Sequence, residues 1–330
     1  MAGGRPRVHV FGLGGTIAMG ATAAGGGVVP SLDARMLVDA VPQLEQIAAV
    51  GAGSFRQMPG AHLGFDDLEA LATAIERAAA DGIDGVVVVQ GTDTIEETAF
   101  ALDRLVASPI PVVVTGAMRN PSLPGADGPA NLCAAVAVAA SEHARGLGCL
   151  VAFDDEIHAA RFVRKVHTGR VAAFASPQCG PIGWLAEGRV TMPLALRRPP
   201  VIARSDAPRA ASVALIVLAL GDDGTLVRLA AQHGYTGIVV AGVGGGHCTP
   251  AAADAIEAAA KQVDVVLATR VLAGEVLAGT YGFTGSEIDL ARRGVIGSGA
   301  LDPFKARVLL TLLQRHGHGG DAVRLAFGAG

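Results

Sequence analysis

Short, almost uninterrupted runs of β-branched and small apolar residues punctuate the chain at 8–11, 85–89, 111–115, 149–153, 213–220, 237–241 and 263–269. A strand with one wet face alternates polar and apolar residues. These runs do not, as expected of parallel strands covered on both faces. Between them lie stretches of helical spacing. In 66–81, Leu68, Leu71, Ile75 and Ala78 share one face, and Asp66 or Asp67 is placed to cap the first turn. Strand–helix–strand repetition predicts a doubly wound α/β fold with right-handed crossovers.

The 330 residues exceed what one core usually supports, roughly 250–300. Segment 196–209 (LRRPPVIARSDAPR) interrupts the alternation with three prolines and four arginines and reads as a linker. Two domains are expected, over 1–196 and 211–330, joined by residues 197–210.

Several function classes are disfavoured. A net charge of −4 argues against a nucleic-acid surface. The longest apolar runs, 132–140 and 213–220, fall far short of the ~20 residues that cross a bilayer. Residues 1–7 lead directly into a strand without the pattern of a secretory leader. Cys133, Cys149, Cys179 and Cys248 form no CxxC pair, as expected of thiols in a reducing cytoplasm. His158, His167, His247, His316 and His318 fall into no metal-binding framework, so neither a metal nor a cofactor is expected.

In doubly wound sheets, ligands bind where loops leave the carboxyl ends of strands. After the first run, Gly12 and Gly14 suit a dinucleotide-binding turn, but Ile17 stands where that motif needs glycine or alanine. The turn brings one hydroxyl, Thr16, which is either a helix cap or a nucleophile. After the second run, Thr92, Asp93 and Thr94 are likewise either a cap or a nucleophile-activating relay, because threonine attacks an amide only when a neighbouring base takes its proton. Lys165, within the basic cluster Arg161, Arg164, Lys165 and Arg170, is either a solvated surface residue or a proton relay beside Asp93.

Taken together, GGTIA at 14–18, GTDT at 91–94, GAMR at 116–119, DGPANL at 127–132, Lys165, GVIGSG at 294–299 and KARVLL at 305–310 resemble the bacterial-type asparaginase family, in order and at similar spacing. The fold this implies is two doubly wound domains: a larger N-terminal flavodoxin-like parallel sheet and a smaller C-terminal Rossmann-like domain. The chemistry it implies is hydrolysis of the side-chain amide of L-asparagine without a cofactor. Thr16 would form a covalent acyl-enzyme. Thr92, Asp93 and Lys165 would activate water or the nucleophile, and the Thr92 N–H with the Ala117 region would hold the oxyanion. Glu287 would reach the substrate amine from a neighbouring subunit, in a dimer or dimer of dimers with shared sites.

The chain departs from the family where an α-amino acid is read. The flap over 19–30 has no tyrosine; the chain has only Tyr235 and Tyr281, and Tyr281 is the candidate replacement. Gly60 and Ala61 stand where Ser and Gln contact substrate, leaving backbone N–H groups and His62. His247 replaces an Asn, and Gln90 a common His. Hydrolysis of an amide is thus more firmly expected than asparagine as the substrate. D-asparagine, glutamine or a carboxamide lacking the α-amine remain alternatives, as does a non-catalytic amino-acid sensor. The asparaginase-like subunit of a tRNA-dependent amidotransferase is disfavoured, because the chain lacks an added domain and a basic face.

Overall fold

The computed structural model describes residues 4–15, 17, 19–21, 28–30 and 33–328, and the chain forms two compact units, Met1–Val201 and Ile202–Gly330. The first unit opens with β1 (Arg7–Gly12), the antiparallel pair β2 (Met19–Ala21) and β3 (Val28–Pro30), short helices α1 (Ala34–Asp39) and α2 (Leu44–Ile47), and β4 (Ala49–Ser54). Regular alternation follows: α3 (Phe65–Ala80), β5 (Gly85–Val89), α4 (Ile95–Leu105), β6 (Val112–Thr115), α5 (Gly128–Ala139) and β7 (Cys149–Phe153). Short strands complete the unit: β8 (Glu156–Ala159), β9 (Arg164–Lys165), β10 (Phe174–Ala175), β11 (Gly183–Ala186) and β12 (Arg189–Thr191).

The main sheet runs β12-β11-β8-β7-β6-β5-β1-β4. From β4 to β7 it is parallel, and every residue of β5, β6 and β7 is buried, which is why those runs do not alternate. Helix α5 packs so closely that a Cβ at Gly85 would lie 1.9 Å from Ala139 O.

Beyond β7 the sheet turns antiparallel, which the strand–helix rhythm does not announce. Asp154 (φ 52°) and Asp155 (φ 61°) are both left-handed and form a two-residue hairpin that pairs Phe153 with Glu156. Glu187 (φ 52°) and Gly188 (φ 72°) repeat the device between β11 and β12. The edge strand β4 (AVGAGS) was equally unmarked, because with a single partner it is half exposed and weakly apolar. In α3, the cap is Gly64, whose N–H donates to Asp67 Oδ2 at 3.0 Å; Leu68, Leu71 and Ile75 are buried.

The second unit contains β13 (Val213–Val217), α6 (Thr225–Gln232), β14 (Gly237–Gly242), α7 (Pro250–Ala260), β15 (Asp264–Thr269), α8 (Glu287–Arg292), β16 (Ile296–Gly297), α9 (Pro303–Arg315) and α10 (Asp321–Gly328). Its sheet is parallel throughout in the order β13-β14-β15-β16. The apolar run 213–220 is longer than the strand it encodes: after Leu218 N donates to Ala241 O the chain turns away, and Leu220 is wholly exposed. Among the described residues no helix is long and apolar enough to cross a membrane.

Candidate active site

Glycines in the loops after β1, β4, β5 and β6 bring four backbones together. At Gly15 (φ 93°) a Cβ would lie 2.1 Å from Gly91 N, at Gly60 2.9 Å from Gly91 O, and at Gly116 2.5 Å from Gln90 O. A side chain at any of the three would collide with backbone, so glycine here serves the convergence of carboxyl-end loops. Thr16, the candidate nucleophile that follows Gly15, lies outside the described residues.

Residues Thr92–Thr94 form a 3₁₀ turn leading into α4, and Thr94, at the N-cap of α4, makes no side-chain cap bond there. The hydroxyls act elsewhere. Thr94 Oγ1 donates to Gly60 O at 3.0 Å and accepts from Gln90 Nε2 at 3.3 Å, tying the loop after β5 to the 3₁₀ turn Gly60–His62. Lys165 Nζ donates to Thr92 Oγ1 and to Asp93 Oδ1, both at 2.9 Å. The Thr92 side chain is buried, that of Lys165 is 18% exposed and that of Asp93 65% exposed, so the cluster runs from the interior to an open rim. This decides the reading of Lys165: it is held inward rather than solvated.

Of the substrate-side candidates in this unit, Gly60 is buried, Ala61 and His62 are exposed, and Ala117 is fully buried. The DGPANL segment is a scaffold for the Ala117 loop. Asp127 accepts from Met118 N (2.9 Å) and Arg119 N (2.8 Å), while Asn131 Nδ2 donates to Gly116 O (3.0 Å).

The remaining candidates lie in the second unit and meet one another there. His247 Nε2 is 3.1 Å from Glu287 Oε2, and Glu287 Oε1 accepts from Thr280 N (2.8 Å) and Tyr281 N (2.7 Å). Burial raises the Glu287 carboxyl, but the Tyr281 and Thr280 N–H groups and His247 more than offset it, leaving it below the usual carboxylate range. The His247 ring packs edge-on against Tyr281 and Phe283, with centroids 4.9 and 5.2 Å away. A crevice of about 400 Å³ beside His247 is lined by Leu218, Asp222, Cys248, Thr249 and Phe283. Tyr281 is thus a partner of His247 and half exposed within its own unit.

One residue of this region escaped sequence reading. Glu96 resembles an ordinary acidic residue in a first helical turn, yet it is buried and accepts a bond from the backbone of Lys165. Nothing local marks it, because its partner is 69 residues away. Among the described residues no group of three or more His, Cys, Asp and Glu side chains is placed to hold a metal ion.

A threonine hydroxyl, a carboxylate and a lysine amine joined by hydrogen bonds, beside the glycine-lined turns that leave the carboxyl ends of a doubly wound sheet, are the groups that hydrolases with a hydroxyl nucleophile use. The family models place it further. The asparaginase N-terminal domain matches residues 7–198, and the glutaminase/asparaginase C-terminal domain matches 212–327. The L-asparaginase of Bacillus licheniformis is 36% identical over 309 residues, covering 93% of this chain and 95% of that protein. A probable periplasmic L-asparaginase of Haemophilus influenzae is 35% identical over 93% of this chain and 88% of its own length. The crystal structure of a probable cytoplasmic L-asparaginase from Campylobacter jejuni superposes with a TM-score of 0.88 at 32% identity, covering 99% of this chain and all of that one. The chain belongs to the asparaginase family and is an amidohydrolase of that type.

Proposed function

We propose that the protein hydrolyses the side-chain amide of L-asparagine to aspartate and ammonia through a covalent ester on Thr16. The observation that carries this reading is the Lys165 ε-amino group, 2.9 Å from both Thr92 Oγ1 and Asp93 Oδ1. A bridging amine between a hydroxyl and a carboxylate forms a path for the proton that an attacking oxygen must lose. Thr16 Oγ adds to the amide carbon, the C–N bond breaks, and the hydroxyl proton leaves with the nitrogen as ammonia. Water, activated at Thr92, then opens the ester and returns a proton to Thr16. The Thr92 N–H and the loop at Ala117 bind the oxyanion. Gly60, Ala61 and His62 line the side that receives the substrate carboxylate. Glu287, with His247 and Tyr281, reaches the substrate from a neighbouring copy in a cytoplasmic dimer or dimer of dimers.

A specific observation favours a second reading, hydrolysis of another small carboxamide. Both Glu287 oxygens already have partners, one of them His247, so an incoming α-ammonium meets a carboxylate that is shared. Ammonia release from L-asparagine, D-asparagine, L-glutamine and succinamic acid, with Thr16→Ala as control, decides between them. Turnover of L-asparagine lost in Thr16→Ala supports the first reading. Turnover confined to succinamic acid supports the second, and undiminished turnover in Thr16→Ala defeats the covalent mechanism.

A further inference from the structure

The Lys165 side chain bridges Thr92 and Asp93, yet it projects from β9, a strand of two residues outside the main sheet. Among the described residues its strand partner is the equally short β10, where Lys165 faces Phe174. Such a pair has little stiffness of its own. Val166 N donates across this pair to Ala173 O at 2.8 Å. Because successive N–H groups of a strand point to opposite sides, the Lys165 N–H faces away from β10. There it meets Glu96 Oε2 at 2.5 Å, and the same oxygen lies 3.4 Å from Arg164 Nε.

Glu96 stands in the first turn of α4, two residues beyond Thr94, where the helix dipole favours a carboxylate. Its side chain is only 10% exposed and the Arg164 side chain 16%. Charge-assisted hydrogen bonds of this kind are shorter and stronger than neutral ones. One rigid element therefore does two things. Its lead-in presents Thr92 and Asp93 to the Lys165 amine, and its first turn holds the Lys165 backbone 69 residues away in sequence.

We infer that Glu96 is a positioning residue for the hydrolysis: it sets the distance between Lys165 Nζ and the Thr92–Asp93 pair by clamping β9 onto α4. The inference rests on the reading of Thr92, Asp93 and Lys165 as the activating group. A misplacement of about 1 Å at such a group costs roughly 10²-fold in rate.

The test uses the full chain and compares Glu96→Ala, Glu96→Gln and Lys165→Met in steady-state ammonia release, with thermal melting of each. Glu96→Ala is expected to lower kcat about 30-fold or more while KM stays within about threefold. Glu96→Gln keeps an acceptor for the Lys165 N–H and is expected to recover at least about tenfold of that loss. A folded Glu96→Ala with wild-type kcat, or a Glu96→Gln no better than Glu96→Ala, overturns the inference. Lys165→Met with wild-type turnover would instead sink the reading of the site itself. Should Glu96→Ala not fold, hydrogen exchange of the unmodified protein decides: the Lys165 amide is expected to be protected, and exchange at the free-peptide rate overturns the clamp.

Discussion

His247 Nε2 lies 3.1 Å from Glu287 Oε2, and the other carboxylate oxygen is held by the N–H groups of Thr280 and Tyr281. A carboxylate so satisfied has less unmet demand for a further cation. Under the proposed role of Glu287 at the substrate amine, the identity of residue 247 bears on that recognition. His247→Asn frees Oε2 from a ring nitrogen without adding charge. It is expected to lower KM for L-asparagine at least about fivefold relative to succinamic acid, since charged hydrogen bonds are worth about 1.5–3 kcal/mol. Equal changes for both substrates would show that His247 plays no part in reading the amine.

Lys165 is the only described side chain joined to both Thr92 Oγ1 and Asp93 Oδ1. Lys165→Met keeps an unbranched side chain out to the ε position and removes both bonds. Positioned proton transfer is typically worth 10²–10⁴-fold, so kcat should fall by about 10³ with a smaller change in KM. Single-turnover measurement of ammonia checks that the loss lies in the chemical steps.

Gly15 has φ 93°, and a Cβ there would lie 2.1 Å from Gly91 N. Gly15→Ala combines a disfavoured backbone conformation with a collision against backbone that cannot rotate away. A destabilisation of about 3 kcal/mol or more is expected. Urea unfolding reads it directly, and a midpoint equal to that of the wild type would refute the close approach of the two loops.

His158 is fully buried on β8, with Nδ1 3.0 Å from Ser176 Oγ and Nε2 3.3 Å from the Glu156 carboxylate. Burial pulls its pKa from the usual 6.5 down to about 4. Below pH 6.5 the unfolded chain takes up a proton that the native imidazole refuses. The stability this residue contributes is therefore complete above 6.5, declines as the pH falls, and is lost near pH 4. The total is about 3 kcal/mol, from 1.36 kcal/mol per unit. His158→Asn should flatten that part of the stability curve, measured as urea midpoints at about pH 7 and about pH 4.5. A decline of unchanged steepness would assign the acid sensitivity to other groups.

How much of this was legible in the amino-acid order differs from element to element. The strands β5, β6 and β7 announce themselves because a strand buried on both faces must be apolar at every position. Helix α3 is readable because one face repeats Leu68, Leu71 and Ile75. By contrast β4, with one partner and half-exposed residues, has no such pattern. The antiparallel part of the first sheet depends on two-residue turns at Asp154–Asp155 and Glu187–Gly188, only one of whose four positions is a glycine. Non-glycine residues adopt positive φ too seldom for sequence to predict it there.

By itself the sequence determined the α/β alternation, the glycines at which backbones converge, and the residue types available for amide chemistry. These are local properties: burial on both faces dictates composition, and close approach forbids a Cβ. Only the tertiary structure decided that Lys165 turns inward to Thr92 and Asp93, that Glu96 holds its backbone, and that His247 and Glu287 pair across 40 positions. Each of these depends on chain segments that topology, rather than neighbouring residues, brings to hydrogen-bond distance.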